Sequence, residues 1–192
     1  PLYSSAASDV YKRQAIDLLS QAEHDEMASS ILITTDSELA NRVSDKVEEF
    51  LGTLSREAIA RKSIEERGAI IVTSTMKEAI DLMNEIAPEH LEVVTKDPMS
   101  LLESIKHAGA IFLGENTPEP VGDYIAGPNH TLPTGGTAKF YSPLSVEHFI
   151  KKSSIISMSK EGIREIGDAC AMIANTEGLT AHEESVRIRL RD

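Results

Sequence analysis

Two patterns of apolar residues alternate along the chain up to residue 113. Short, uniformly apolar runs predict buried β-strands, and segments with apolar residues three and four positions apart predict helices. The predicted strands are 31–34, 69–73, 91–95 and 110–113. The predicted helices are 15–24, 38–51, 55–67, 76–87 and one that starts at Pro98.

Capping residues support these boundaries. Asp36 or Ser37 is predicted to cap the helix 38–51, Ser55 the next helix, and Asp97 the helix that starts beyond it. Pro88 is predicted to end the helix 76–87. Short apolar strands alternating with helices predict an α/β fold with a parallel sheet flanked by helices on both faces. Such sheets bind ligands beyond the C-terminal ends of their strands.

The pattern changes after Gly114. Residues 115–143 are rich in Gly and Pro and lack periodicity, as expected of a long functional loop. The segment 144–192 is predicted to be a small, mainly helical C-terminal domain, with helices at 160–174 and 180–190 and a short strand at 155–158. It is too small for a core of its own, so it must pack on the domain 15–143 or on a partner chain.

Residues 1–14, PLYSSAASDVYKRQ, show neither helix nor strand period and resemble translated adapter sequence. The alternative is a natural disordered tail. In both cases we expect the genuine protein to begin upstream of residue 15, so that this chain is a fragment.

Composition narrows the function. Apolar residues make up 41% and charged residues 26% of the chain, as in ordinary globular proteins. A net charge of -12 argues against nucleic acid or an anionic membrane as a partner. The single Cys170 excludes an internal disulfide and a Cys-rich zinc cluster, and it favours a reducing compartment such as the cytoplasm. Any metal must be held by His, Asp, Glu or amide oxygen.

Four segments place a histidine beside another polar residue. Gln21 and His24 stand three apart on a predicted helix, where they could chelate one cation or form a solvated helix face. Glu89 and His90 follow Pro88 in a predicted turn. They could act as general base and acid, or His90 could simply be stabilised by the helix dipole.

The other two segments lie further along the chain. Asp123 and His130 stand on the glycine-rich loop, which indicates either a site or a surface turn with an Asx hydrogen bond from Asp123. Glu177 and His182 flank Gly178, a predicted helix C-cap. His182 would lie in the first turn of the last helix, where a neutral imidazole that binds a metal fits better than a cation.

His107 and His148 are interpreted as structural. The Gln, His and Asp residues of the four segments above are compatible with a zinc site of nitrogen and oxygen ligands, provided that the fold brings them together.

Six motifs resemble those of histidinol dehydrogenases, in the family's order and spacing from Ala15 onward. They are DLLSQAEH at 17–24, APEHL at 87–91, GAIFLG at 109–114, GDY with GPNH at 122–124 and 127–130, LPT at 132–134, and LTAH at 179–182.

The resemblance implies roles for individual residues. Gln21, His24, Asp123 and His182 match the family's zinc ligands, which also contact the substrate. Glu89 and His90 match its catalytic acid/base pair. His130 and Glu177 match residues that contact the substrate. It further implies a homodimer in which Glu177 and His182 reach the partner's site.

The resemblance also implies a Rossmann-like fold, of which 15–143 is the second half of a split domain. The implied reaction is the NAD-linked oxidation of L-histidinol to L-histidine through the aldehyde, with His90 as base for the alcohol and Glu89 activating water. The family's N-terminal half, which holds most NAD contacts, has no counterpart here, and no G-x-G-x-x-G follows a strand. The NAD-binding residues of this chain are therefore unknown, and we expect the chain alone to have little dehydrogenase activity. A zinc-dependent hydrolase and a non-catalytic module for a metal or an imidazole ligand remain alternatives.

Overall fold

The structure is a computed structural model that describes residues 6–191, which form two compact units divided between His148 and Phe149. The sequence predicts this boundary at residue 144. The helices of the first unit are α1 (Ala6–Ala22), α2 (Ser37–Leu51), α3 (Glu57–Arg67), α4 (Met76–Ile86) and α5 (Glu119–Tyr124). Its strands are β1 (Ile31–Thr34), β2 (Ala69–Val72), β3 (His90–Val93) and β4 (Ala110–Leu113). The second unit contains α6 (Lys160–Thr176) and α7 (Thr180–Arg191).

The core of the first unit is formed by α1, α2 and α3. Their buried apolar residues are Ala15, Leu19, Ala22, Val43, Val47, Leu51 and Ala60. The spacing of three to four residues within α1 and α2 is the helical period that the sequence predicts. Asp36 caps α2 by accepting hydrogen bonds from the backbone N–H groups of Glu38 and Leu39, as expected.

The strands pair in parallel, which confirms the predicted α/β class. β1 pairs with β2 and β3 pairs with β4, beginning with Ile31 opposite Ala69 and His90 opposite Ala110. They form two separate two-stranded ladders rather than one sheet, and no ladder joins them within residues 6–191. A cleft of about 880 Å³ is lined by every residue of β1 and β3, so each of these strands has one edge without a backbone partner.

The structure corrects the prediction for residues 1–14, because α1 is helical from Ala6. The side chains explain this early start. Lys12 and Asp9 form an ion pair of 2.9 Å one turn apart, and the Arg42 guanidinium stacks 4.1 Å from the centre of the Tyr11 ring. Residues 1–5 lie outside the described part, and the non-native origin of the segment remains a prediction.

Three further local predictions are wrong. α3 begins at Glu57 without a side-chain cap, so Ser55 does not cap it. The segment after Pro98 is a 3₁₀ turn, Met99–Ser104, with no side-chain cap from Asp97. Residues 155–158 form no strand, and Ile155 is 93% exposed. An apolar run needs a paired neighbour to become a strand, and the described residues offer it none.

The second unit is a hairpin of α6 and α7. Gly178 lies just beyond α6 with φ +75°, the left-handed conformation expected of a glycine that ends a helix. The two helices pack closely where Leu190 meets Gly167, since a Cβ on that glycine would lie 2.7 Å from Leu190 Cδ2. No helix among residues 6–191 is long and apolar enough to cross a membrane.

Candidate active site

The first strand of the second ladder positions the central histidine. α4 ends at Ile86, the following Ala87 adopts a left-handed conformation, and Pro88 turns the chain toward β3. The backbone of Glu89 already joins the ladder, since its carbonyl oxygen accepts a hydrogen bond of 2.8 Å from Ala110. His90 is the first residue of β3 rather than part of a turn, which corrects the sequence prediction.

The His90 side chain faces two carboxylates of α5. Its Nε2 lies 3.6 Å from Asp123 Oδ1 and 3.7 Å from Glu119 Oε1. These distances are too long for hydrogen bonds, and both ring nitrogens are buried without a hydrogen-bond partner among the described residues. A buried imidazole with free nitrogens beside two carboxylates can accept a proton or bind a metal.

Glu119 is a site residue that the sequence prediction does not include. It is 6% exposed and stands one helical turn before Asp123. The spacing of four residues could have indicated a shared face, but the segment 115–143 is predicted to be irregular. The structure places Asp123 on the short helix α5, whereas the sequence prediction places it on a loop.

Burial is the main cause of the raised pKa values of three carboxyl groups near His90. It raises the pKa of Glu119 to about 7, assisted by the hydrogen bond with Asp123. It also raises the pKa of Glu92 to about 7, together with the nearby charge of Asp17. The pKa of Glu89 is raised by burial, against opposing effects of His90 and His24. A carboxyl group with a raised pKa serves as a general acid or base near neutral pH.

Gln21 and His24 lie at the end of α1. The helix ends at Ala22, so Gln21 is in its last turn and His24 follows in a turn, rather than both lying on one helix face. The backbone N–H of His24 donates to Gln21 O at 3.3 Å, and its carbonyl oxygen accepts from Arg56 Nη2 at 3.2 Å. Gln21 lines the cleft together with Glu89, His90 and Glu119.

The remaining predicted residues are exposed. His130 is exposed on the loop after α5, where Asn129 rather than Asp123 forms the Asx turn, by accepting a 2.7 Å hydrogen bond from the N–H of Thr131. Glu177 follows α6 and His182 lies in the first turn of α7, both exposed in the second unit. His148 contacts Ser145 through Nδ1, which fits its structural interpretation.

Within residues 6–191, one group of three His, Asp or Glu side chains could hold a metal ion. It consists of His90, Glu119 and Asp123, whose ligand atoms all lie within 4.8 Å of one another. Such a set of one nitrogen and two oxygen donors suits zinc and similar divalent metals. The adjoining cleft has the volume of a typical small-molecule site.

Comparison with known proteins shows which proteins this chain resembles. The family model described as histidinol dehydrogenase matches residues 7–190. The chain is 70% identical over 176 residues to the histidinol dehydrogenase of Sulfurimonas denitrificans and 68% identical over 176 residues to that of Wolinella succinogenes, covering 92% of this chain and 41% of each relative. The crystal structure of histidinol dehydrogenase from Elizabethkingia anophelis matches with a TM-score of 0.88 and 38% identity, over 94% of this chain and 42% of that chain. The chain thus spans about two-fifths of the length of these relatives.

Proposed function

The chain belongs to the histidinol dehydrogenase family, and on that basis we propose that it forms the metal and substrate part of an enzyme that oxidises L-histidinol to L-histidine. The observation that carries the proposal is the buried His90 ring, which has no hydrogen-bond partner among the described residues and lies beside Asp123 and Glu119. Glu89, with its raised pKa, stands next to it.

The two residues divide the acid–base work. His90 accepts the proton of the alcohol as the first hydride departs, which leaves the aldehyde. Glu89 then takes a proton from water as the water attacks the aldehyde, and the resulting hydrate anion becomes the acid when the second hydride departs. NAD would supply the hydride acceptor, held mainly by the part of the relatives that this chain does not match.

The proposed metal ligands are Gln21, His24 and Asp123, completed by His182 of a second copy. Of these ligands, Asp123 belongs to the group of three side chains whose donor atoms lie within 4.8 Å of one another, which supports a cation beside this carboxylate. Zinc would supply a positive anchor for the imidazole and amino groups of the substrate. His130 and Glu177 would contact the same substrate, with Glu177 again from the second copy.

We further propose that β1 and β3 belong to one sheet in the complete enzyme. Their unpaired edges both border the cleft of about 880 Å³. Strands from the unmatched part of the relatives would pair with both edges and complete a Rossmann-like domain. The exposed apolar residues of α6, such as Met172 and Ile173, support packing of the second unit on a partner chain.

Equilibrium dialysis against zinc tests the metal site. We expect His24→Ala and Asp123→Asn to weaken zinc binding by about 100-fold or more, because loss of a residue that only supports a ligand already costs about 10- to 100-fold. His148→Ala is the matched control and should bind zinc like the unchanged chain, since His148 contacts only Ser145 in the hydrogen bonds of its ring. Unchanged zinc binding in both ligand variants would contradict this ligand set.

A further inference from the structure

Glu92 lies on β3 two residues after His90, so the two side chains point to the same face of the strand. This face contacts α5 at two places. His90 Nε2 lies 3.6 Å from Asp123 Oδ1, and Glu92 Oε1 accepts a 2.8 Å hydrogen bond from the backbone N–H of Glu119. A single strand face therefore holds both the first residue of α5 and its proposed metal ligand.

The short helix α5 depends on this contact. It has only six residues, and so short a helix is unstable without tertiary anchors. Pro118 precedes it and provides no side-chain cap for the free N–H groups of the first turn. The Glu92 carboxyl oxygen supplies that acceptor from another element of the fold.

Glu92 also reaches α1. Its carboxyl group and that of Asp17, which stands one helical turn before Gln21, line the same small pocket. Glu92 thus joins α1, which leads to Gln21 and His24, to β3 with His90 and to α5 with Asp123.

From these contacts we propose that Glu92, beside Asp17, is a positioning residue that sets Asp123 against His90 and aligns the end of α1 with both. The inference rests on the proposed function, which assigns the metal and acid–base roles to the residues that Glu92 aligns. Glu92 itself contacts neither substrate nor metal in this scheme.

Three substitutions separate the length of the Glu92 side chain from its hydrogen-bonding groups. Glu92→Asp keeps a carboxyl group but shortens the side chain, and Glu92→Ala removes the acceptor. Glu92→Gln keeps an oxygen for the Glu119 N–H and offers an amide donor to Asp17. In metal-free protein we expect the first two to accelerate amide exchange at Glu119 and shift the ring ¹⁵N signals of His90. With Co²⁺ as the probe, we expect both to weaken binding by about tenfold and alter the visible absorption spectrum. Glu92→Gln should leave all four readouts as they are in the unchanged chain.

The matched control is Glu115→Gln. It removes an exposed 3.0 Å ion pair between Glu115 and Arg13, which also links α1 to the segment after β4. It should leave the His90 signals and cobalt binding unchanged. If Glu92→Ala does not fold, Glu92→Asp decides.

Unchanged Glu119 exchange and His90 signals in Glu92→Asp would overturn the positioning role. Absence of cobalt binding by the unchanged chain would instead contradict the proposed metal site, while the metal-free readouts would still decide the role of Glu92.

Discussion

The Glu119 carboxyl group is buried where its charge is poorly solvated. Burial and the hydrogen bond with Asp123 raise its pKa from 4.5 to about 7. Between these two values the folded protein holds a proton that the unfolded chain releases. The contribution of Glu119 to the free energy of unfolding therefore falls as the pH rises across this window.

Glu119→Gln should remove this penalty. The amide can donate to Asp123 as the protonated carboxyl group does, so we expect the free energy of unfolding at pH 8 to rise by on the order of 1 kcal/mol. At pH 4 the variant should match the unchanged chain. Urea unfolding at both values measures this, with the exposed Glu66→Gln as control. A variant less stable at pH 8 than the unchanged chain would contradict the assignment of the raised pKa.

At the residue scale the sequence predicts part of this site. It names His90 and Asp123, whose side chains the structure brings together. It does not name Glu119 or Glu92, because their roles depend on how α5 lies over β3, which no local pattern encodes. The assignment of Gln21, His24, His130, Glu177 and His182 remains a prediction.

At the scale of elements, α5 is seated on β4 through Gly122. A Cβ at this position would lie 2.5 Å from Cε1 of Phe112, a buried ring of β4. The missing side chain is what allows α5, and with it Asp123, to approach the strands.

Gly122→Ala should therefore force α5 away from Phe112. We expect a loss of about 2 kcal/mol in the free energy of unfolding, together with weaker zinc binding, because overpacking shifts the backbone that carries Asp123. Gly52→Ala is the control, since its Cβ would meet no atom closer than 3.9 Å. Thermal unfolding and zinc dialysis measure the two effects. Unchanged stability and unchanged zinc binding in Gly122→Ala would contradict the close packing of α5 on Phe112.

The elements that sequence patterns predict well are those with a local cause. The predicted strand 31–34 and the helix capped by Asp36 match β1 and α2 closely. The early part of α1 is missed because its stabilising contact from Tyr11 to Arg42 is tertiary. The apolar run at 155–158 fails for the opposite reason, since a strand requires a partner.

At the scale of the whole molecule, β1 and β3 each keep one edge without a pairing strand among the described residues. The sequence predicts parallel strands but not the gap between the ladders, because no local pattern encodes which strands lie side by side. We expect the isolated chain to give no detectable NADH with L-histidinol and NAD, measured by absorbance. The full-length relative from Sulfurimonas denitrificans serves as the positive control. Turnover by this chain alone would contradict the proposal that NAD is held mainly by the part of the relatives that this chain does not match.

The central claim is that this chain carries the metal and substrate part of the enzyme. Calorimetric titration of L-histidinol into metal-free and zinc-loaded protein tests it most directly, with His24→Ala alongside. We expect binding that requires zinc and is lost in His24→Ala. No binding to a folded, zinc-loaded sample, or equal binding in the variant, would contradict it.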